Sequence, residues 1–404
     1  MQKLLNIQRF IIDDFKRLPY HERLHYRSIS LGNRINGILG ARGTGKTTFL
    51  LKTAIENGAE QGFALYISAD NHYFLENKLL DLAKWIYTET DIKLLCIDEI
   101  HKYPNWNQEL KNIYDTFAKL KIVFSGSSMI DIIKSKYDLS RRVSLYSMYG
   151  YSFREYLKYY HDIKISAITL PELLESHVHI ARSITTTKIL KYFRDYLEVG
   201  YYPFTSTLEY ETERFQSIEN IVQKTIYEDI TTLHDLKTVT LQTIESLYKY
   251  ILSSLPGELN TNKLATRLHK DYNDVSKYLS YLNKAGLVHF MYSNKPGKSS
   301  VGAPVKMLPD NTNMIYAHYL AQTEDALIGK VRETFFINQI VNSGHQPFYS
   351  LIGDYQIDKY YFEIGGKSKT RRQLKNHQDA YVVADGILVG EDDVIPLYLF
   401  GLLY

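Results

Sequence analysis

One loop constrains this chain more than anything else in it: Gly40-Ala41-Arg42-Gly43-Thr44-Gly45-Lys46-Thr47. A glycine, four residues, then Gly-Lys-Thr is the phosphate-loop spacing, and it needs a strand before it and a helix after it. Arg34 to Leu39 supplies the short apolar strand, and Lys46 to Asn57 reads as a helix ended by Gly58. The glycines let backbone N–H groups converge on phosphate oxygens, helped by the positive end of the following helix. Lys46 brings positive charge to the β- and γ-phosphates, and the Thr47 hydroxyl suits a magnesium ion. Gly40, Arg42, Gly43, Thr44, Gly45, Lys46, Thr47 and Thr48 are therefore the expected binders of ATP with Mg2+.

The loop asks for an acidic partner strand. Lys93 to Ile97 is apolar on both faces, as a central parallel strand should be, and it ends in Asp98-Glu99. Asp98 is placed to hold magnesium through water, and Glu99 to orient and deprotonate the attacking water. Phe63–Ser68 and Lys121–Ser125 read as further strands. Trp106, Leu110, Ile113, Phe117 and Leu120 mark one helical face between them. Strands alternating with helices over 34–126 predict an α/β fold built on a parallel sheet. Ser127, just past the last of these strands, is the candidate γ-phosphate sensor. Arg142, with Arg141 beside it, is the candidate to neutralise phosphate charge, within the subunit or across an oligomer interface.

Downstream, the pattern from Phe153 to about Lys237 is helical and broken at Gly200-Tyr201-Tyr202-Pro203. Helices near Leu241–Ser253, Thr261–Leu268 and Asn273–Ala285, then a strand at Leu287–Tyr292, give the outline of a winged helix. Asn294 to Pro304 reads as a linker. The last hundred residues form another α/β unit, with a helix at Lys330–Asn342 and a buried final strand within Val394–Tyr404. The expected domains are thus 1–150 (ATPase), 151–237 (helical), 238–297 (winged helix) and 298–404 (α/β).

Gly40-x-Arg42-x-x-Gly45-Lys46-Thr47-Thr48 and Asp98-Glu99-Ile100-His101-Lys102-Tyr103-Pro104-Asn105-Trp106 resemble the AAA-like ATPases of archaea and bacteria. So do Gly126-Ser127-Ser128, Leu139-Ser140-Arg141-Arg142-Val143 and Tyr151-Ser152-Phe153-Arg154-Glu155-Tyr156. The likeness extends to Gly200–Pro203, Thr225–Asp229 and Val331–Phe335. The resemblance implies ATP hydrolysis, a winged helix and a C-terminal domain similar to restriction endonucleases. A nuclease of that fold needs an acid on one strand and acid-x-Lys on the next, to hold a metal and activate water. Asp358 and Glu363 are the candidate acids, with Glu333 a third, but Gly365 stands where the lysine belongs. Lys367 is two residues further on, about 6–7 Å along a strand. The expectation is a catalytically degenerate site.

Charge settles little: the net +3 is too small for a global argument about nucleic acid. Locally, Lys367, Lys369, Arg371, Arg372 and Lys375 form a basic run suited to phosphate contacts. The candidate recognition helix offers only Lys277 and Lys284, and its Val275, Tyr278, Leu279 and Leu282 look like core. A single cysteine, Cys96, fits a reducing, cytoplasmic setting, and no stretch is long enough to span a membrane. The expectation is an ATP-driven switch or motor acting on a DNA or protein partner, with oligomerisation open. An ATP-gated metal-dependent nuclease and a slow regulatory scaffold are the alternatives.

Overall fold

Five short strands carry the first half of the chain: β1 (Ile35–Leu39), β2 (Ala64–Ser68), β3 (Leu94–Asp98), β4 (Lys121–Gly126) and β5 (Val143–Ser147). They form one sheet in the order β2-β3-β4-β1-β5, and every pairing is parallel. The computed structural model describes residues 2–18, 20–24, 26, 29–126, 139, 141–184, 186–231, 236–254, 260–294, 304–319, 325–374 and 377–404. It divides into two units, Met1–Tyr149 and Gly150–Tyr404.

In the first unit, successive strand residues point to opposite faces, and both faces are apolar. Ile35, Leu65, Ile67, Leu95, Ile97, Ile122 and Phe124 pack on one side against α3 (Leu79–Glu89) and α4 (Trp106–Thr116). Ile38, Ala64, Leu94, Cys96 and Val123 pack on the other against α1 (Gln2–Arg17) and α2 (Lys46–Glu56). A parallel sheet needs this double cover, because its crossovers place helices on both faces. All five strands therefore run the same way, and the loops at their C-terminal ends share one rim.

β5 was not expected from the sequence. It pairs Val143 with Ile35 through Ser147 with Leu39 at the edge of the sheet. Its residues are half-buried or exposed, so they lack the continuous apolar run that marks β3.

The second unit opens with helices Phe153–His161, Leu170–Ser183, Ile189–Asp195 and Glu211–Lys224. The break at 200–203 is steric as well as local: a Cβ on Gly200 would lie 2.7 Å from the Tyr156 and Tyr196 rings. Helices Thr238–Ser253, Thr261–Leu268 and Tyr272–Lys284 follow. Strands β6 (Val288–Met291) and β7 (Lys306–Pro309) then form an antiparallel pair. Val275, Leu279 and Leu282 are buried here, as their spacing suggested.

Next come helices Thr312–Tyr319 and Asp325–Asn342 and a mixed sheet. Its strands are β8 (Pro347–Tyr349), β9 (Tyr355–Ile357), β10 (Tyr360–Gly365), β11 (Ala380–Ala384) and β12 (Val394–Pro396). The order is β12-β11-β10-β9-β8, antiparallel from β8 to β10 and parallel beyond. Only Val394–Pro396 of the expected final strand pairs. Leu397–Leu402 coils into a 3-10 helix, buried throughout.

A lysine ties two parts of this unit together. Lys330, 1% exposed, donates from Nζ to the carbonyls of Ile251 and Leu252 and to Ser254 Oγ. Those carbonyls belong to the last turn of Thr238–Ser253, where a helix leaves its own acceptors unmet. Burial pushes the Lys330 pKa down to about 7, with Glu333 opposing and Lys306 adding to the shift. An unfolded lysine keeps its proton to about pH 10.4. Between pH 7 and that value the unfolded chain therefore holds more protons, and stability rises with pH. Urea denaturation from pH 7 to 9 should show this rise, with a slope of up to about 1.4 kcal/mol per pH unit. Lys330→Met should remove that contribution; an unchanged slope would show that the ammonium is not desolvated.

Candidate functional site

The glycine loop leaves β1 at the C-terminal rim of the first sheet. Gly40 is pressed against the chain after β5, where a Cβ would lie 2.1 Å from the Met148 carbonyl oxygen. Gly43 and Gly45 have φ of 80° and 98°, values that favour glycine. Gly45 then caps α2 directly. The loop curls around Lys46, which is 5% exposed and donates to the carbonyls of Gly40 and Ala41 at 2.9 and 2.8 Å. Thr44 Oγ1 donates to the Ala41 carbonyl at 3.0 Å. Arg23, unremarked in the sequence, donates to the carbonyls of Thr44 (2.9 Å) and Tyr149 (3.0 Å), bracing the loop from outside. Arg42 and Thr48 are half-buried on the same loop and helix start.

Asp98 ends β3 beside this loop and is 3% exposed. Three hydroxyls donate to its carboxylate: Thr47 Oγ1 to Oδ2 at 2.6 Å, Tyr66 OH to Oδ2 at 3.0 Å, and Ser125 Oγ to Oδ1. They come from α2, β2 and β4, so one carboxylate joins three elements. Burial and the Asp98 charge push the Tyr66 phenol far up, keeping it a donor. Thr47 and Asp98 offer oxygen donors, which is what magnesium takes. No group of three His, Cys, Asp or Glu able to hold a metal occurs among the described residues. The pair thus fits an ion that takes few protein ligands and shares the rest with phosphates.

Glu99 turns away from the strand in a left-handed conformation, with φ 52°. Its backbone N–H donates to Ser125 Oγ at 3.0 Å. Its Oε2 lies 3.2 Å from Nε2 of His101, whose side chain is 1% exposed. Lys46, Thr47, Asp98 and Glu99 therefore gather at one rim.

Ser127 lies outside the described residues; among the described serines, Ser125 reaches Asp98. Arg142 precedes β5, at the opposite end of the sheet, about 20 Å from the loop along the strand direction. There it pairs with Asp115, Nε to Oδ1 at 3.0 Å. Arg142 is not a phosphate contact within its own chain.

The second unit corrects the expected acid pair. Asp358 is not on a strand beside Glu363. It sits in the tight turn between β9 and β10, with φ 53°, and faces His345 Nδ1 at 3.3 Å. Glu363 is mid-strand in β10 and fully buried, roughly 15 Å along the chain from that turn. Its partner is neither Gly365 nor Lys367 but Lys369, whose ammonium meets Oε1. Gly365 makes this possible, since a Cβ there would fall 2.6 Å from the Lys369 stem. Gln373, its amide nitrogen turned to the carboxylate, donates to Oε2 and Oε1 at 2.8 and 3.0 Å. Glu333 is engaged elsewhere, by Lys306 and by Tyr355 OH at 2.5 Å. The basic run is not one exposed face either. Lys369 is on Glu363, Arg371 is on Asp393, Lys375 lies outside the described residues, and Lys367 and Arg372 are exposed.

Residues 32–157 match a family described as an AAA domain, and residues 190–311 match a domain family of unknown function. A Methanocaldococcus jannaschii relative, Uncharacterized protein MJ1637, is 26% identical over 389 residues, covering 88% of this chain and 80% of the relative. Among solved structures, AMPPCP-bound DnaA from Aquifex aeolicus is 18% identical, covers 67% of this chain and 90% of its own, and has a TM-score of 0.28. The Hsp104–ADP complex of S. cerevisiae is 14% identical, covers 69% and 44%, and has a TM-score of 0.25. The glycine loop and the parallel sheet, with the AAA-domain match over residues 32–157, give the first unit an AAA-like P-loop NTPase fold. Among the described residues, no helix is long and apolar enough to cross a membrane.

Ser125 is the residue this geometry adds. It holds the Asp98 carboxylate and the Glu99 backbone at once, and hydrogen bonds to charged groups contribute about 1.5–3 kcal/mol. Ser125→Ala should lower kcat for ATP about tenfold or more while leaving ATP affinity within about threefold. Wild-type kcat in that variant would show that Ser125 positions neither group.

Proposed function

We propose that the chain hydrolyses ATP at the Lys46–Thr47–Asp98–Glu99 rim and uses its nucleotide state to act on a partner. The observation that carries this reading is the 2.6 Å contact between Thr47 and Asp98, at the residue next to Lys46, whose ammonium the loop carbonyls of Gly40 and Ala41 hold. Gly40, Arg42, Gly43, Thr44, Gly45 and Thr48 complete the proposed phosphate cradle. Thr47 and Asp98 are the groups proposed to hold magnesium, which when bound neutralises phosphate charge. Lys46 adds its own positive charge at the β- and γ-phosphates.

Glu99 acts as general base. It accepts a proton from water as the water oxygen bonds to the γ-phosphorus. The bond from that phosphorus to the β–γ bridging oxygen breaks, and its electron pair leaves with ADP. His101, 3.2 Å from the Glu99 carboxylate, orients it. Any role for Arg142 is across an oligomer interface.

The expected division into ATPase domain, helical region, winged helix and endonuclease-like domain is proposed for 1–150, 151–237, 238–297 and 298–404. Nucleic acid is one partner class to test, and stimulation of ATP turnover by DNA separates a DNA-directed switch from a scaffold acting through protein contacts.

Glu99→Gln should bind ATP with magnesium at near wild-type affinity yet turn over at least about a hundredfold more slowly. Lys46→Ala should instead lose most of the affinity. Equal turnover in Glu99→Gln and wild type would assign the base to another residue.

The second unit is proposed not to cut nucleic acid. Asp358, the second acid such a site would need, stands apart from Glu363 in the turn between β9 and β10. Duplex and single-stranded DNA should remain intact with magnesium or manganese, with or without ATP. Metal-dependent cleavage that disappears in Glu363→Ala would contradict this.

A further inference from the structure

The Glu363–Lys369 pair does not lie in a closed core. It forms the floor of an open cavity of about 310 Å3, whose walls are Ser368, Thr370, Arg372 and Gln373. The polar groups of this cavity are unbalanced in a telling way. Its one acid, Glu363, is already met by Lys369 on Oε1 and by the Gln373 amide on both oxygens. The remaining lining is rich in donors: two hydroxyls and the exposed Arg372 guanidinium, with the Lys369 ammonium beneath. Among the lining residues, one acid against two cations leaves a net charge of +1; Asp354, whose charge also acts on Glu363, accepts from the Ile364 amide.

With the Glu363 carboxylate already met, the rest of the lining offers a guanidinium and two hydroxyls, groups that suit an oxyanion, and a guanidinium matches the geometry of phosphate oxygens. The volume is at the low end for small-molecule sites. It admits a phosphate and the sugar bearing it, and is too small for a duplex.

We infer that this cavity is a seat for a terminal phosphate group, held by Arg372, Lys369 and the hydroxyls of Ser368 and Thr370. Glu363 acts from below as the anchor that fixes Lys369 in place. The inference is independent of the ATPase reading. The phosphate has two sources, a phosphorylated strand end or a free phosphate, and the recognising chemistry is the same for both.

The test uses the full chain with Lys46→Ala as background, so that the glycine loop is not the phosphate site being read. Fluorescence anisotropy compares a labelled six-nucleotide single strand bearing a 5′-phosphate with its 5′-hydroxyl counterpart, and calorimetry follows inorganic phosphate. The phosphorylated strand should bind at least about tenfold tighter, and inorganic phosphate should displace it. Arg372→Ala should reduce the advantage to under about twofold. Arg372 is exposed, so this variant should fold, whereas removing Lys369 would strand a buried carboxylate; Thr370→Val is the second probe. Binding of inorganic phosphate that depends on Arg372, without discrimination between strand ends, assigns the seat to free phosphate. The inference is overturned if neither probe binds in a way that Arg372→Ala and Thr370→Val weaken.

Discussion

The first unit depends on one buried carboxylate. Asp98 is almost wholly removed from water, and an unpaired charge there would cost several kcal/mol. Three hydroxyls, from Thr47, Tyr66 and Ser125, make it tolerable. Because these are neutral donors, they solvate the carboxylate without cancelling its charge. The same contacts fix the start of α2 against the ends of β2, β3 and β4. The arrangement that stabilises the rim therefore also keeps negative charge beside the phosphate loop, where a metal would need it.

The second unit handles a buried carboxylate in the opposite way. Glu363 is fully buried and burial pushes its pKa up, but a cation, Lys369, sits directly on it. The Lys369 ammonium neutralises the Glu363 floor, so that Arg372 leaves the cavity lining with a net positive charge. Gly365 is central to this difference, because its missing side chain is the space through which the Lys369 stem passes.

Much of this was legible in the sequence where local pattern and chemistry coincide. The glycine loop demands its flanking strand and helix, and the apolar run before Asp98-Glu99 marks a central strand. β5 was not legible, because an edge strand with half-exposed residues carries no continuous apolar signal. Tyr66 and Ser125 reach Asp98 only through parallel strand register, which places Ser68 beside Asp98 and Phe124 beside Ile97. Spacing along one chain does not encode that adjacency. Asp358 was misplaced for a related reason: Asp358-Lys359 reads as part of a strand until the pairing of Tyr360 with Ile357 makes it a turn. Lys369 was read only as part of the basic run, because a lysine six residues after its acid matches no local rule; the intervening chain has to fold back.

In the proposed function, the Asp98 charge, held by hydroxyls, is kept for a magnesium ion shared with ATP. The most direct test is ATP affinity with and without magnesium, in wild type and in Asp98→Asn. Asparagine keeps the size and a carbonyl acceptor but removes the charge. The account predicts that magnesium tightens ATP binding markedly in wild type and hardly at all in the variant, with metal-free affinity preserved in both. An equal magnesium effect in the two proteins would contradict it.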